Sequence, residues 1–135
     1  MFLIDYAKTF LGTPYIYGAN GAGAFDCSSF ACECLMAFGK IPNKSNLSAQ
    51  MIFDYLKHHG GLFTAVAAPG SVAFFGKDTA SISHVEFVLN DKQFIGCAGG
   101  DSTTVTLKEA QDRGAMVRIR PIGYRKDLVA IFEVV

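Results

Sequence analysis

The segment Phe25-Asp26-Cys27-Ser28-Ser29-Phe30 places a cysteine directly after an aspartate, at the start of an apolar run. Apolar residues then recur at helical spacing at positions 30, 31, 34, 35 and 38, and Gly39 and Pro42 are typical of a helix end. Asp26 is a preferred N-cap type, so we predict a helix over 27–38 with Cys27 in its first turn. Unpaired backbone N–H groups and the positive end of the helix dipole favour a thiolate there, which makes Cys27 a candidate nucleophile.

The composition indicates one folded domain without a strong charge preference. A chain of 135 residues, with 50% hydrophobic and 18% charged residues, can bury one core, so we predict a single domain over 1–135 and exclude disorder. Twelve acidic residues balance twelve basic ones without a dense Lys/Arg block, which argues against nucleic acid or an anionic membrane as partner. The apolar stretches are shorter than a bilayer span requires.

The N-terminus and the cysteines bear on where the protein works. Residues 1–5 lack a basic segment and include an acid, so they do not form a Sec signal and we expect synthesis in the cytoplasm. Action outside the cell would then follow lysis, injection by a dedicated machine, or incorporation into a larger particle. Cys32 and Cys34 lie too close together on the predicted helix for a disulfide, so we expect reduced thiols.

Two further helices are predicted before residue 60. An apolar stripe over 2–11 ends at Gly12, and a second stripe over 48–58 is closed by two glycines. His58 and His59 lie in the last turn of the second stripe, and we interpret them as exposed helix-end residues rather than metal ligands. Residues 18–24 form a glycine-rich loop whose spacing matches no phosphate-binding motif.

From residue 69 onward the pattern changes to strands. Short runs over 70–76, 84–89, 93–97, 116–120 and 128–135 are bounded by turn residues, and residues 107–112 allow one or two helical turns. Strand alternation places residues 85, 87 and 89 on one face and His84, Glu86 and Val88 on the other. The sequence therefore predicts an α+β fold, in which N-terminal helices pack on a C-terminal antiparallel sheet of about five strands.

His84 is the best candidate for a general base. The other two of the three histidines belong to a helix end, whereas His84 opens a strand, where it can face a helix N-terminus packed across the sheet edge. The alternative is that Cys27 is a buried helix-start cysteine and His84 a hydrogen-bonded strand residue. A metal site that also includes Cys32 and Cys34 fails on spacing, because Cys-x-Cys on one helix points its thiols apart.

Four motifs occur in the order of a known family. They are Gly-Thr-Pro-Tyr-Ile-Tyr-Gly at 12–18, Phe-Asp-Cys-Ser-Ser-Phe at 25–30, Gly-Ser-Val-Ala-Phe-Phe at 70–75 and Ser-His-Val at 83–85. By this combination the chain resembles the NlpC-type cell-wall endopeptidases from about residue 5 to residue 100. These are papain-like cysteine peptidases that cut peptide bonds in the stem peptides of bacterial peptidoglycan.

The resemblance implies a papain-like fold, a substrate and site residues. Cys27 would be the nucleophile, His84 the general base, and Tyr15 the family tyrosine whose hydroxyl reaches into the site and, with the Cys27 N–H, holds the oxyanion. The implied reaction cuts the bond between D-glutamate and the following diamino acid through an acyl-enzyme, without a cofactor. The absence of a secretion signal suggests a phage-associated enzyme or an injected effector. We interpret Tyr17 as a core aromatic.

Several positions depart from the family pattern. Ser29 replaces a glycine after Asp-Cys-Ser, and Glu86 replaces a common glycine and is expected either in the cleft or in solvent. The family usually orients its base with a polar side chain twelve residues later, a position that here is Gly96. We predict Asp101 as the replacement side chain, with a backbone carbonyl near Gly96 or a water molecule as alternatives.

Two other functions remain open on the sequence. The missing side chain at Gly96 favours a binding or structural module that keeps the fold without turnover. The Cys27 and His84 pair would also serve an amidase or acyltransferase that acts on another substrate.

Overall fold

The computed structural model describes residues 2–134, which form four helices and six strands. In chain order they are α1 (Leu3–Lys8), α2 (Cys27–Ala37), α3 (Ala49–His58), β1 (Leu62–Phe63), β2 (Val72–Gly76), β3 (Ile82–Asn90), β4 (Gln93–Ala98), α4 (Leu107–Arg113), β5 (Met116–Pro121) and β6 (Leu128–Glu133). Within this described part of the chain, every helix is too short or too polar to cross a bilayer.

Helix α2 begins at Cys27, as the sequence predicts. The carboxylate of its N-cap, Asp26, accepts a hydrogen bond from the Ser29 N–H at 2.9 Å, and Ser29 Oγ accepts one from the Asp26 N–H at 2.9 Å. This reciprocal capping satisfies two backbone N–H groups at the helix start, and it gives a role to the serine that departs from the family pattern. The helix ends at Ala37, and Gly39 redirects the chain with a positive φ of 67°.

Aromatic side chains fix α2 against the sheet. Phe30 is fully buried, and its ring packs edge-to-face with Phe25 at 5.6 Å and with Phe87 of β3 at 6.1 Å between centroids. Because truncation of a buried phenylalanine typically costs about 3–5 kcal/mol, this packing is a strong restraint. It holds the N-terminus of α2 against the strand that carries His84.

The strands form one antiparallel sheet in the order β1-β6-β2-β3-β4-β5. Phe87 pairs with Ile95 across β3 and β4, and both side chains belong to the large core that the helices cover. The opposite face carries a smaller apolar cluster of Ala73, Phe75, Val88, Phe94 and Ile131. Alternation along β3 places His84 and Glu86 on the same face as this smaller cluster.

The predicted α+β architecture is confirmed, with differences at the element ends. The sequence does not predict β1, because its two residues are exposed and too few to show alternation. The helix predicted over 2–11 is only six residues long. The strand predicted over 128–135 ends at Glu133. Two residues of the predicted segments, Met1 and Val135, lie outside the described residues.

Candidate active site

Cys27 brings a thiol to the end of the sheet at which the inner strand β3 begins. Its Sγ lies 4.0 Å from the backbone oxygen of Ser83, the residue before His84, and its side chain is half-buried. All four cysteines are free, as expected. Burial raises the pKa of the other three thiols and keeps them protonated and unreactive: Cys32, Cys34 and Cys97. Cys27 is therefore the thiol that is placed for chemistry.

Asp26 holds the loop before α2 in place. Its Oδ1 accepts hydrogen bonds from the Ser29 N–H and from the Ser28 hydroxyl, and its Oδ2 accepts one from the Gly18 N–H at 3.2 Å. Both carboxylate oxygens are thus engaged by local donors. Asp26 therefore fixes the backbone around Cys27.

His84 lies near the start of β3 and is 6% exposed. Its Nε2 donates a hydrogen bond to Glu86 Oε2 at 2.9 Å, which leaves Nδ1 as the nitrogen that can accept the Cys27 proton. Burial lowers the pKa of His84, but interactions with Cys27 and Glu86 outweigh burial and raise it to about 9. The environment therefore favours the imidazolium that a thiolate partner requires.

Glu86 is the carboxylate that contacts the imidazole. Its side chain is fully buried, and its Oε2 accepts a second hydrogen bond from the hydroxyl of Tyr124 in the β5–β6 connection. Its burial excludes solvent, one of the two locations left open by the sequence, and Glu86 is not among the residues that line the cleft, which is the other. The spacing of two residues along β3 already places Glu86 beside His84, but its burial under Tyr124 depends on a distant part of the chain.

Asp101 does not take the place predicted for it. Its carboxylate accepts hydrogen bonds from the Thr103 N–H at 2.8 Å and the Thr103 hydroxyl at 2.6 Å, and it pairs with Arg113 at 3.3 Å. These contacts lower the pKa of Asp101, the Thr103 hydroxyl most strongly, and its side chain remains 69% exposed. Among residues 2–134, the carboxylate that bonds His84 is thus Glu86 and not Asp101.

Tyr15 is buried at the base of the cleft. Its N–H donates to the Ala115 oxygen at 3.0 Å, and its ring is 6% exposed. Burial, followed by the nearby charge of Cys27, raises the pKa of Tyr15, so its hydroxyl stays protonated and can donate a hydrogen bond beside the thiol. Tyr17, interpreted from the sequence as a core aromatic, is instead 55% exposed and lines the cleft.

The cleft around Cys27 has a volume of about 430 Å³. It lies between the loop before α2, the N-terminus of α3 and the start of β3, and its polar lining includes Tyr17, Asn46, Ser48 and Ser83. Asp26 is the only lining carboxylate among the described residues, and it is engaged as a cap. A larger cavity of about 590 Å³ lies between α1 and the start of β2, away from Cys27.

The chain matches a known family over most of its length. The model of the NlpC/P60 family matches residues 12–120. A probable endopeptidase of Corynebacterium glutamicum is 42% identical over 48 residues, which cover 35% of this chain and 23% of that protein. The match thus spans less than a quarter of the length of the curated relatives.

Solved structures share the fold at low sequence identity. The peptidoglycan hydrolase RipB of Mycobacterium tuberculosis aligns with a TM-score of 0.70 and 18% identity, covering 99% of this chain and 63% of that chain. RipD of the same organism, a non-catalytic NlpC/p60 domain protein adapted to peptidoglycan binding, aligns with a TM-score of 0.66 and 16% identity, covering 98% and 95%. By its fold and by the family match over residues 12–120, the chain belongs to the NlpC/P60 family.

Proposed function

We propose that the chain is a cysteine hydrolase that cuts amide bonds in peptidoglycan stem peptides. The observation that carries the proposal is Cys27 at a helix N-terminus beside His84, whose Nε2 is bonded to the buried Glu86. A nucleophile, a base and a group that orients the base are what acyl transfer through a thioester requires. Family membership and the similarity to RipB support peptidoglycan as the substrate.

The first half of the reaction forms an acyl-enzyme. His84 Nδ1 accepts the Cys27 proton, and the thiolate forms a bond to the carbonyl carbon while an electron pair moves onto the carbonyl oxygen. The Cys27 N–H and the Tyr15 hydroxyl would donate hydrogen bonds to this oxyanion. When the C–N bond breaks, the imidazolium gives its proton to the leaving amine.

The second half of the reaction restores the thiol. Water attacks the thioester carbonyl and passes a proton to His84, which returns it to the Cys27 sulfur as the C–S bond breaks. The products are a carboxylic acid and the free enzyme. We propose the bond between D-glutamate and the diamino acid as the scissile bond, with the neutral polar groups of the cleft binding the peptide through hydrogen bonds.

Mass spectrometry of purified muropeptides tests the function directly. The protein and its Cys27→Ala variant are incubated separately with the same muropeptides. With the unmodified protein only, we expect a new pair of fragments whose summed mass exceeds the mass of the substrate by that of one water. The masses of the two fragments identify the bond, and equal cleavage by the variant would overturn the mechanism.

A second candidate function is a peptidoglycan-binding module without turnover, which the similarity to RipD favours. Reaction with iodoacetamide separates the two functions. A thiolate paired with an imidazolium alkylates faster at neutral pH than the cysteine of a model peptide, because the thiolate is the nucleophile. Slow alkylation together with retained binding to purified cell walls would support the module, whereas fast alkylation without muropeptide cleavage would point to an amidase or acyltransferase on another substrate.

A further inference from the structure

Glu86 and Gly96 occupy one shared space between β3 and β4. Phe87 pairs with Ile95 and Val88 with Phe94, so Glu86 and Gly96 are the next residues to face one another. A Cβ at position 96 would lie 2.5 Å from Cγ and 2.9 Å from Oε1 of Glu86. Real Cβ atoms do not approach this closely, so any side chain at 96 would displace the glutamate from its present position.

We propose that Glu86 is the positioning residue for His84, and that the lack of a side chain at Gly96 leaves the space in which this carboxylate reaches the imidazole. The group that orients the base then comes from the strand of the base itself, two residues along, and the neighbouring strand contributes only space. The claim that this contact serves catalysis rests on the proposed function. The geometry on which it depends is independent of the substrate.

The contacts of Glu86 hold its carboxylate against His84. Oε2 accepts from both His84 and Tyr124, and the Tyr124 ring packs under the guanidinium of Arg120 at 5.3 Å. Oε1 is buried and has no hydrogen-bond partner among residues 2–134. The other titratable groups that act on this pair come from α2, β4 and the β5–β6 connection: Cys27, Cys97, Arg125 and Asp127.

This hydrogen bond selects the tautomer of His84. When Nε2 donates to Glu86, the proton of the neutral imidazole is held at Nε2, and Nδ1 presents its lone pair. Nδ1 can then accept the Cys27 proton, and the carboxylate stabilises the imidazolium that results. Glu86 is not among the residues that line the cleft, so it acts on the site through its hydrogen bond to His84.

A purely structural role accounts poorly for a buried glutamate at this position. A buried ion pair is often no more stabilising than apolar side chains of similar volume, because both charges lose their hydration. The surrounding face of the sheet is apolar, with Phe75, Val88 and Phe94 nearby in the same cluster. An apolar residue at 86 would extend this cluster, whereas the glutamate leaves one oxygen unpaired.

NMR titration of His84 tests the proposal without reference to turnover. In protein with labelled histidines, we expect the neutral His84 ring to be protonated at Nε2 and its titration midpoint to fall by about one pKa unit or more in Glu86→Gln. The matched control is Glu133→Gln, the same change at an exposed site on β6, which should leave the titration unchanged. An unchanged midpoint and tautomer in Glu86→Gln would overturn the proposal.

A second variant covers the case in which Glu86→Gln does not fold. Gly96→Ala keeps the acid but displaces it, so we expect the same direction of change in the His84 midpoint and a smaller iodoacetamide rate for Cys27. A Gly96→Ala protein with the unmodified titration and rate would contradict the shared-space argument. If the unmodified protein cleaves no muropeptide yet Glu86→Gln shifts the titration, the proposed function fails while the positioning role stands.

Discussion

Gly100 lies directly against the ring of Tyr15, so that a Cβ at position 100 would be 2.2 Å from Cδ1 and 2.6 Å from Cε1 of the tyrosine. Any side chain at position 100 would therefore displace the Tyr15 ring from its present position. The segment after β4 therefore helps to hold the tyrosine in the cleft beside Cys27. This relationship is not visible in the sequence, because 85 positions separate the two residues.

Gly100→Ala should reproduce the effect of Tyr15→Phe on turnover. Displacement of the ring removes the proposed hydroxyl donor from the oxyanion, so we expect kcat to fall by about tenfold to a thousandfold in both variants, with a smaller change in KM. Steady-state cleavage of purified muropeptides measures both constants. Ser102→Ala, an exposed change in the same segment, is the control, and wild-type kcat in Gly100→Ala would contradict the argument.

Asp26→Ala should weaken both the fold and the reactivity of Cys27. The change removes the acceptor of three hydrogen bonds, and loss of an N-cap typically lowers the free energy of unfolding by about 1–2 kcal/mol. Urea unfolding and the iodoacetamide rate measure the two effects. The control is Thr106→Ala, which removes the cap of α4 and should lower stability without changing the alkylation rate of Cys27. If Cys27 is alkylated at the same rate in both variants, Asp26 acts on stability alone.

Tyr17→Ala should affect substrate binding more than chemistry. The ring is 55% exposed on the wall of the cleft, so its loss should cost little stability. We expect KM to rise several-fold, while kcat and the Cys27 alkylation rate stay close to those of the unmodified protein. Tyr17→Phe keeps the ring and serves as the control. An unchanged KM in Tyr17→Ala would place the stem peptide elsewhere in the cleft.

Local sequence patterns predict the parts of the site that depend on single elements. The N-cap chemistry of Asp26 and the apolar period behind it predict α2 and place Cys27 at its first turn. Strand alternation predicts that His84 and Glu86 share a face. Both predictions succeed because helix capping and strand alternation are decided by residues close together in the chain.

The parts that sequence reasoning missed depend on contacts between distant segments. The burial of Glu86 requires Tyr124 from the β5–β6 connection and an unoccupied position at Gly96. Asp101 is close in sequence to the expected position of the orienting group, but Thr103 and Arg113 engage its carboxylate on the exposed side of the loop. Tyr17 looks like a core residue by type alone, and only the tertiary fold exposes it.

The raised pKa of His84 adds a pH-dependent contribution to the stability of the protein. Burial opposes this rise, but the interactions with Cys27 and Glu86 bring the pKa to about 9, above the value of 6.5 expected for an unfolded histidine. Between these values the native His84 site binds more protons than the unfolded histidine, so its contribution to the free energy of unfolding falls as the pH rises. The contribution, about 3 kcal/mol, is fully present below pH 6.5 and is lost as the pH rises through about 9.

The difference in unfolding free energy between Cys27→Ala and the double variant Cys27→Ala/His84→Gln isolates the part of this contribution that comes from Glu86, because neither protein carries the thiol that the mechanism pairs with the imidazolium. His58 and His59 are present in both proteins, so their titration cancels in the difference. We expect this difference, measured by urea unfolding, to decrease as the pH rises from about 6 to about 9.5. A difference that is constant over this range would show that the imidazolium gains nothing from Glu86 on folding, and the proposed role of this carboxylate in stabilising the imidazolium would lose its support.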